Sequence, residues 1–133
     1  MVLGAEGVQI GTRFALTEES SASPVFKDYC LSLGEGDTKL LLKKLAPTRL
    51  VKNAFREAVE KAEDSGATSE ELRTLLGRGR AKKGIFEGDL EEGELEIGQV
   101  SAIISRQQSV AEVMNELVES YRQAVEKKYL FER

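Results

Sequence analysis

Histidine and tryptophan are absent from this chain of 133 residues, and cysteine occurs once and proline twice. Without histidine the commonest general base near neutral pH is missing, together with the serine-protease type of relay and the usual imidazole zinc site. Any proton transfer must use other groups. The single cysteine, Cys30, excludes an intrachain disulfide and a cysteine cluster for zinc or iron–sulfur, so a reduced, cytoplasmic setting is expected. No uncharged apolar run reaches the roughly 18 residues of a membrane span. The opening Met1 to Gly7 has neither the basic start nor the apolar stretch of a signal peptide, so neither membrane insertion nor export is expected. Positive charge is also scarce: 19 Lys plus Arg against 23 Asp plus Glu give a net charge of −4. That balance offers nucleic acid and anionic membranes no general attraction. Length sets a further limit, because a closed eightfold βα barrel takes about 200 to 250 residues and this chain supplies only a fraction of one.

What is present is enough apolar material, 41% of residues, for about one hydrophobic core. Val8 and Ile10 alternate with Gln9 between Gly7 and Gly11, which predicts a short strand. After a Ser/Thr/Glu-rich connector, Ser23 and Pro24 form a helix start, and Val25, Phe26, Tyr29, Cys30 and Leu33 give an apolar face that ends near Gly34. Leu40, Leu41 and Leu42 fit a buried strand or a short helix, with strand preferred. Asn53 caps a predicted helix to Asp64, and the capping box of Thr68 and Glu71 starts another that runs to Leu76. Residues 84–98 carry four glycines and six acidic residues, the composition of an exposed loop. A short helix from Gln99 to Ile104 follows. The last predicted helix, of about 20 residues, is capped by Ser109 and Glu112, with an apolar stripe from Val110 through Val113, Met114, Leu117, Val118 and Tyr121 to Val125. Ordinary core packing is the simpler account of that stripe, and a partner interface the sharper one.

Several chemical readings fall away on spacing. Counting an EF-hand loop from Asp89 puts Val100 where a carboxylate ligand is required. Gly77, Gly79 and Gly84 follow a helix instead of a strand and do not make a dinucleotide fingerprint. The basic group Arg78, Arg80, Lys82 and Lys83 lacks interleaved aromatics, so intramolecular pairing is the expected fate of its charges. Cys30 shares an apolar face with Phe26 and Leu33 and reads as a small core residue. The residues with a specific chemical reading are Gly11 and Thr12. At the end of a strand their backbone N–H groups point outward, the bare glycine lets an anion approach, and the threonine hydroxyl adds a donor, which together suit a phosphate.

The stretch from Gly4 to Phe14, followed by Thr17, Glu18, Glu19 and Ser20, resembles the last barrel strand and following loop of nitronate monooxygenases, formerly called 2-nitropropane dioxygenases and close to FMN-dependent enoyl-ACP reductases. The resemblance continues through Pro47 to Asn53, Phe86 to Asp89, and Gly98 to Ala102. It implies an α/β fold in which this chain is a C-terminal fragment of a (β/α)8 TIM barrel plus a helical segment, predominantly α-helical within itself. Residues 1–35 would hold the last barrel strand and following helix, and residues 36–133 a mainly helical C-terminal region. The cofactor implied is FMN, with Gly11 and Thr12 as phosphate donors. Gln9 beside them is read as structural, and Gln99 matches a position that faces the active-site mouth, although helix packing also accounts for it.

The resemblance departs from the family in what is missing. The glycine-rich first loop, the other phosphate-loop glycines and the histidine found in many members have no counterpart here. One copy would therefore contribute to FMN phosphate binding without completing an FMN-dependent oxidoreductase, and no catalytic residue is assigned. A lone barrel strand has two open edges. They call for the segment Thr38–Leu45, the chain's own helices, a second copy in a homo-oligomer, or a separate N-terminal barrel portion. The competing function is a self-standing helical interaction or structural domain without catalysis.

Overall fold

The computed structural model describes residues 4–129, with side chains to residue 126. Five α-helices and one two-stranded sheet follow in the order α1 (Thr12–Ala15), α2 (Pro24–Leu31), β1 (Thr38–Leu41), β2 (Thr48–Val51), α3 (Ala54–Asp64), α4 (Ser69–Leu76) and α5 (Val110–Tyr129). A π-helical turn at Lys82–Phe86 and a 3-10 turn at Gln99–Ile103 lie between α4 and α5. The expected caps form: Ser23 Oγ accepts from Phe26 N at 3.2 Å, Asn53 Oδ1 from Arg56 N at 2.8 Å, and Thr68 and Glu71 close their reciprocal box. Ser109 and Glu112 make the same exchange at the start of α5, where the Glu19 carboxylate also accepts from Val110 N.

β1 and β2 are antiparallel, pairing Thr38 with Val51 and Leu41 with Thr48. The strand ends at Leu41 because Leu42 takes a left-handed φ of 56°, which turns the chain towards Pro47. A non-glycine residue there carries a cost of about 1 kcal/mol, offset by the burial of the Leu42 side chain.

β2 divides the interior. Successive strand residues face opposite sides. Leu50 accordingly joins Leu41, Leu42, Phe55, Val59 and Leu72, whereas Val51 joins Leu16, Phe26, Cys30, Leu95, Ile97 and Ile104. The segment read as exposed acidic loop instead lies against β2 through an isolated antiparallel bridge. Val51 N donates to Leu95 O at 3.0 Å, Ile97 N to Arg49 O at 3.3 Å, and Leu50 bridges Glu96. Leu95 and Ile97 face inward and Glu96 outward, a two-residue alternation masked by the surrounding acids and glycines. Gly84 and Gly93 cross so closely that a Cβ on Gly93 would collide with Gly84 Cα and with the Asp89 carbonyl.

Two expectations are corrected. Val8 to Ile10 forms no strand, and among the described residues nothing pairs with it; β1 takes β2 as its partner instead. Strand formation needs a neighbouring ladder as well as an alternating pattern, and the alternation here has none. The stripe on α5 is largely uncovered: Val113 is buried, while Met114, Val118 and Tyr121 are exposed. Residues 1–3 and 130–133, at the outer ends of the two expected regions, lie outside the described residues.

Candidate functional site

Gly11 is exposed and directly precedes α1, of which Thr12 is the first residue. The turn is closed by Ala15 N donating to Gly11 O at 3.0 Å. Among the described residues the Gly11 and Thr12 amides donate to no carbonyl. A Cβ placed on Gly11 would meet nothing within 4 Å, so the approach to these amides is open. Thr12 Oγ1 accepts from Gly98 N at 3.0 Å, which leaves the hydroxyl proton available to an outside acceptor. Two amides and one hydroxyl at this turn thus keep donor capacity among the described residues.

Beside this set a cavity of about 370 Å³ is lined by Thr12, Ala15, Pro47, Thr48, Arg49, Glu96, Ile97 and Gly98. Arg49 Nη1 donates to Thr38 O and Oγ1 at 3.3 and 3.2 Å, which fixes the guanidinium against β1. Arg13, next in sequence to Thr12, is turned the other way: its guanidinium donates to Gln108 Oε1 at 2.8 Å and pairs with Glu116 on α5. The hydrogen bond from Gln108, together with Arg13, holds the Glu116 carboxyl below its usual range. Behind the cavity Glu94 is buried, and burial first, with Glu96 adding repulsion, pushes its carboxyl up to about 7.

The other residues singled out by sequence sort clearly. Gln9 is exposed, and Gln99 is exposed on the 3-10 turn directly after Gly98. The structure therefore joins Thr12 to Gly98, and among the described residues neither glutamine side chain makes a hydrogen bond. Cys30 is fully buried and burial pushes its thiol up to about 12, the environment of a packing residue. Three of the four basic residues are paired, Arg80 with Glu92, Lys82 with Glu87 and Lys83 with Asp89, while Arg78 is exposed. Arg80 also lies over the Phe55 ring, 4.5 Å from its centre. No helix among the described residues is long and apolar enough to cross a membrane. Gly98 as the partner of Thr12 escaped sequence reasoning, because the two are 86 positions apart and no local pattern links them.

The family model for nitronate monooxygenase matches residues 1–120. This chain belongs to the nitronate monooxygenase family. A probable nitronate monooxygenase of Bacillus subtilis (strain 168) is 32% identical over 118 residues, which cover 88% of this chain and 34% of that protein. Among solved structures, FabK from Thermotoga maritima superposes with a TM-score of 0.86 at 29% identity, over 98% of this chain and 41% of the other. A point mutant of the same FabK gives a TM-score of 0.78 at 28% identity, with 98% and 39% covered. The family resemblance read from Gly4 to Phe14 and the later motifs therefore holds. The chain spans less than half the length of these relatives, and its mixture of helices with a small sheet matches the corresponding part of the FabK fold.

Proposed function

We propose that this chain forms the C-terminal part of an FMN-dependent oxidoreductase of the nitronate monooxygenase kind and supplies one portion of the FMN phosphate site. The observation that carries this reading is the donor set at Gly11 and Thr12: two unspent amides and a hydroxyl whose acceptor side is already satisfied by Gly98. The donors fit a dianionic phosphate, since a hydrogen bond to a charged acceptor is about twice as strong as a neutral one. FMN, when bound, supplies the redox chemistry. The residues of this chain hold and orient its phosphate end. In this reading residues 1–35 belong to the barrel and residues 36–133 to the helical part. One copy, without histidine and without the other phosphate-loop glycines, is inactive alone in a cytoplasmic setting. A separate N-terminal barrel portion or a second copy would provide the strands that Val8 to Ile10 lacks.

The test is a titration of FMN into the isotope-labelled protein, followed through the Gly11 and Thr12 amide resonances. Both are expected to shift at millimolar ligand, and Thr12→Val to weaken binding about tenfold, the loss of one charge-assisted hydrogen bond of about 1.5 kcal/mol. Amides unmoved at millimolar FMN would leave the alternative, a helical interaction domain without catalysis. The uncovered apolar residues Met114, Val118 and Tyr121 on α5 favour that second reading.

A further inference from the structure

Among the described residues, the polar ties between α5 and the rest of the chain all lie in its first two turns. Val110 N donates to the Glu19 carboxylate, and Glu116 accepts from Gln108 Nε2 at 3.1 Å and pairs with Arg13. Val113 is the side chain that those turns bury. The helix then runs on for about three turns, to Tyr129, where the one described side-chain bond stays within α5, from Gln123 Nε2 to Glu119 at 3.0 Å. Helical turns without tertiary cover are marginal in water, and these carry apolar side chains besides. Leu117, Val118 and Tyr121, with Met114 before them, form one wall of an open groove whose other wall is Val8, Ile10 and Phe14.

A groove walled along a helix suits a second helix with apolar residues at three- and four-residue steps. The charges of α5 select which one. Its first half holds Glu112, Glu116 and Glu119 with no base, and its second half Arg122, Lys127 and Lys128 with one acid, Glu126. A copy of α5 laid antiparallel brings each half against the opposite sign and opposes the two macrodipoles, whereas a parallel copy sets like beside like. We propose that the groove receives the α5 helix of a second copy of this chain, antiparallel about a two-fold axis between Ser120 and Tyr121, with Glu119 of each copy meeting Arg122 of the other. The two apolar stripes then cover one another, and both charged residues are exposed and free to meet across the axis. A patch of this kind, a few helical turns long, falls below the roughly 1,200 Å² of a standard interface, so the pairing is weak and the chain is monomeric at low micromolar concentration. The association needs no FMN and stands apart from the phosphate reading.

The experiment is sedimentation equilibrium of the full chain. The unaltered protein is expected to pass from monomer to dimer with a dissociation constant of about 100 μM, in the range of small interfaces. Val118→Asp, at an exposed position, is expected to weaken the dimer more than about tenfold while leaving the melting temperature of the dilute monomer unchanged. Glu119→Lys alone and Arg122→Glu alone each set like charges across the axis and are expected to weaken self-association about fivefold. Mixed in equal amounts, these two variants place opposite charges at both contacts and are expected to pair as tightly as the unaltered protein. A chain still monomeric at about 1 mM overturns the proposal and leaves the groove to a different polypeptide. Assemblies that grow past two copies, a dimer indifferent to Val118→Asp, or a mixture no tighter than its two components overturn it as well.

Discussion

Helices α3 and α5 carry apolar stripes of the same kind, yet they end in opposite circumstances. On α3 the stripe is consumed: Phe55 and Val59 are buried against Leu50 and Leu72, and Asn53 secures the helix start with further bonds to Leu90 O and Gly93 O at 3.0 and 2.8 Å. On α5, among the described residues, only Val113 is buried, while Met114, Val118 and Tyr121 are 47, 41 and 49% exposed. These residues face Val8, Ile10 and Phe14 across an open apolar groove of about 740 Å³. A stripe of three- and four-residue spacing thus reports a need for cover, and the chain meets that need at α3 but not at α5. The uncovered side is the one that carries Gly11, Thr12 and the unpaired segment before them.

Substitutions on the two sides should separate these circumstances. The largest effect is expected for Leu72→Ala, which removes a fully buried side chain between α3 and α4 and should lower stability by about 3 kcal/mol in denaturant unfolding. An intermediate effect is expected for Glu94→Gln, behind the cavity. The Glu94 carboxyl is raised from 4.5 to about 7, so the folded state holds the proton more tightly than the unfolded state. Its contribution is complete below about 4.5 and is lost as pH rises through about 7. The variant should remove a stability slope worth about 1 kcal/mol across that window, after allowance for solvent screening. The smallest effect belongs to Val118→Ser, within about 0.5 kcal/mol, because its side chain covers little of its own fold. A cost near that of Leu72→Ala at Val118 would mean that the groove is already filled by another molecule, and sedimentation would then show the larger species.

The parts of the fold legible in the sequence are those decided within a few residues. Ser23, Asn53, Thr68 and Ser109 each cap a helix through a bond to a backbone N–H three positions on, so their residue types alone announce it. The ladder was not legible. Thr48–Val51 is short and lies just after a proline, and its second partner, Leu95 to Ile97, hides among acids that favour solvent. At Val8 to Ile10 the alternation was real, but pairing is a property of two segments, and among the described residues no second one lies beside it. The candidate site divides the same way. Gly11 and Thr12 announce themselves as a local donor pair, whereas Gly98 acquires its meaning only when folding brings it to Thr12.

The connector between α1 and α2 is held by an unusual clasp. The buried Lys27 Nζ donates to the carbonyls of Thr17, Glu18 and Ser20 at 2.7, 3.2 and 2.8 Å. Its partners are carbonyl dipoles without net charge, and the lysine itself is buried. Dissolved ions, which loosen exposed pairs such as Lys82 with Glu87, have little purchase on it. The join between the start of the chain and its main body should therefore keep its geometry from dilute buffer to strong brine.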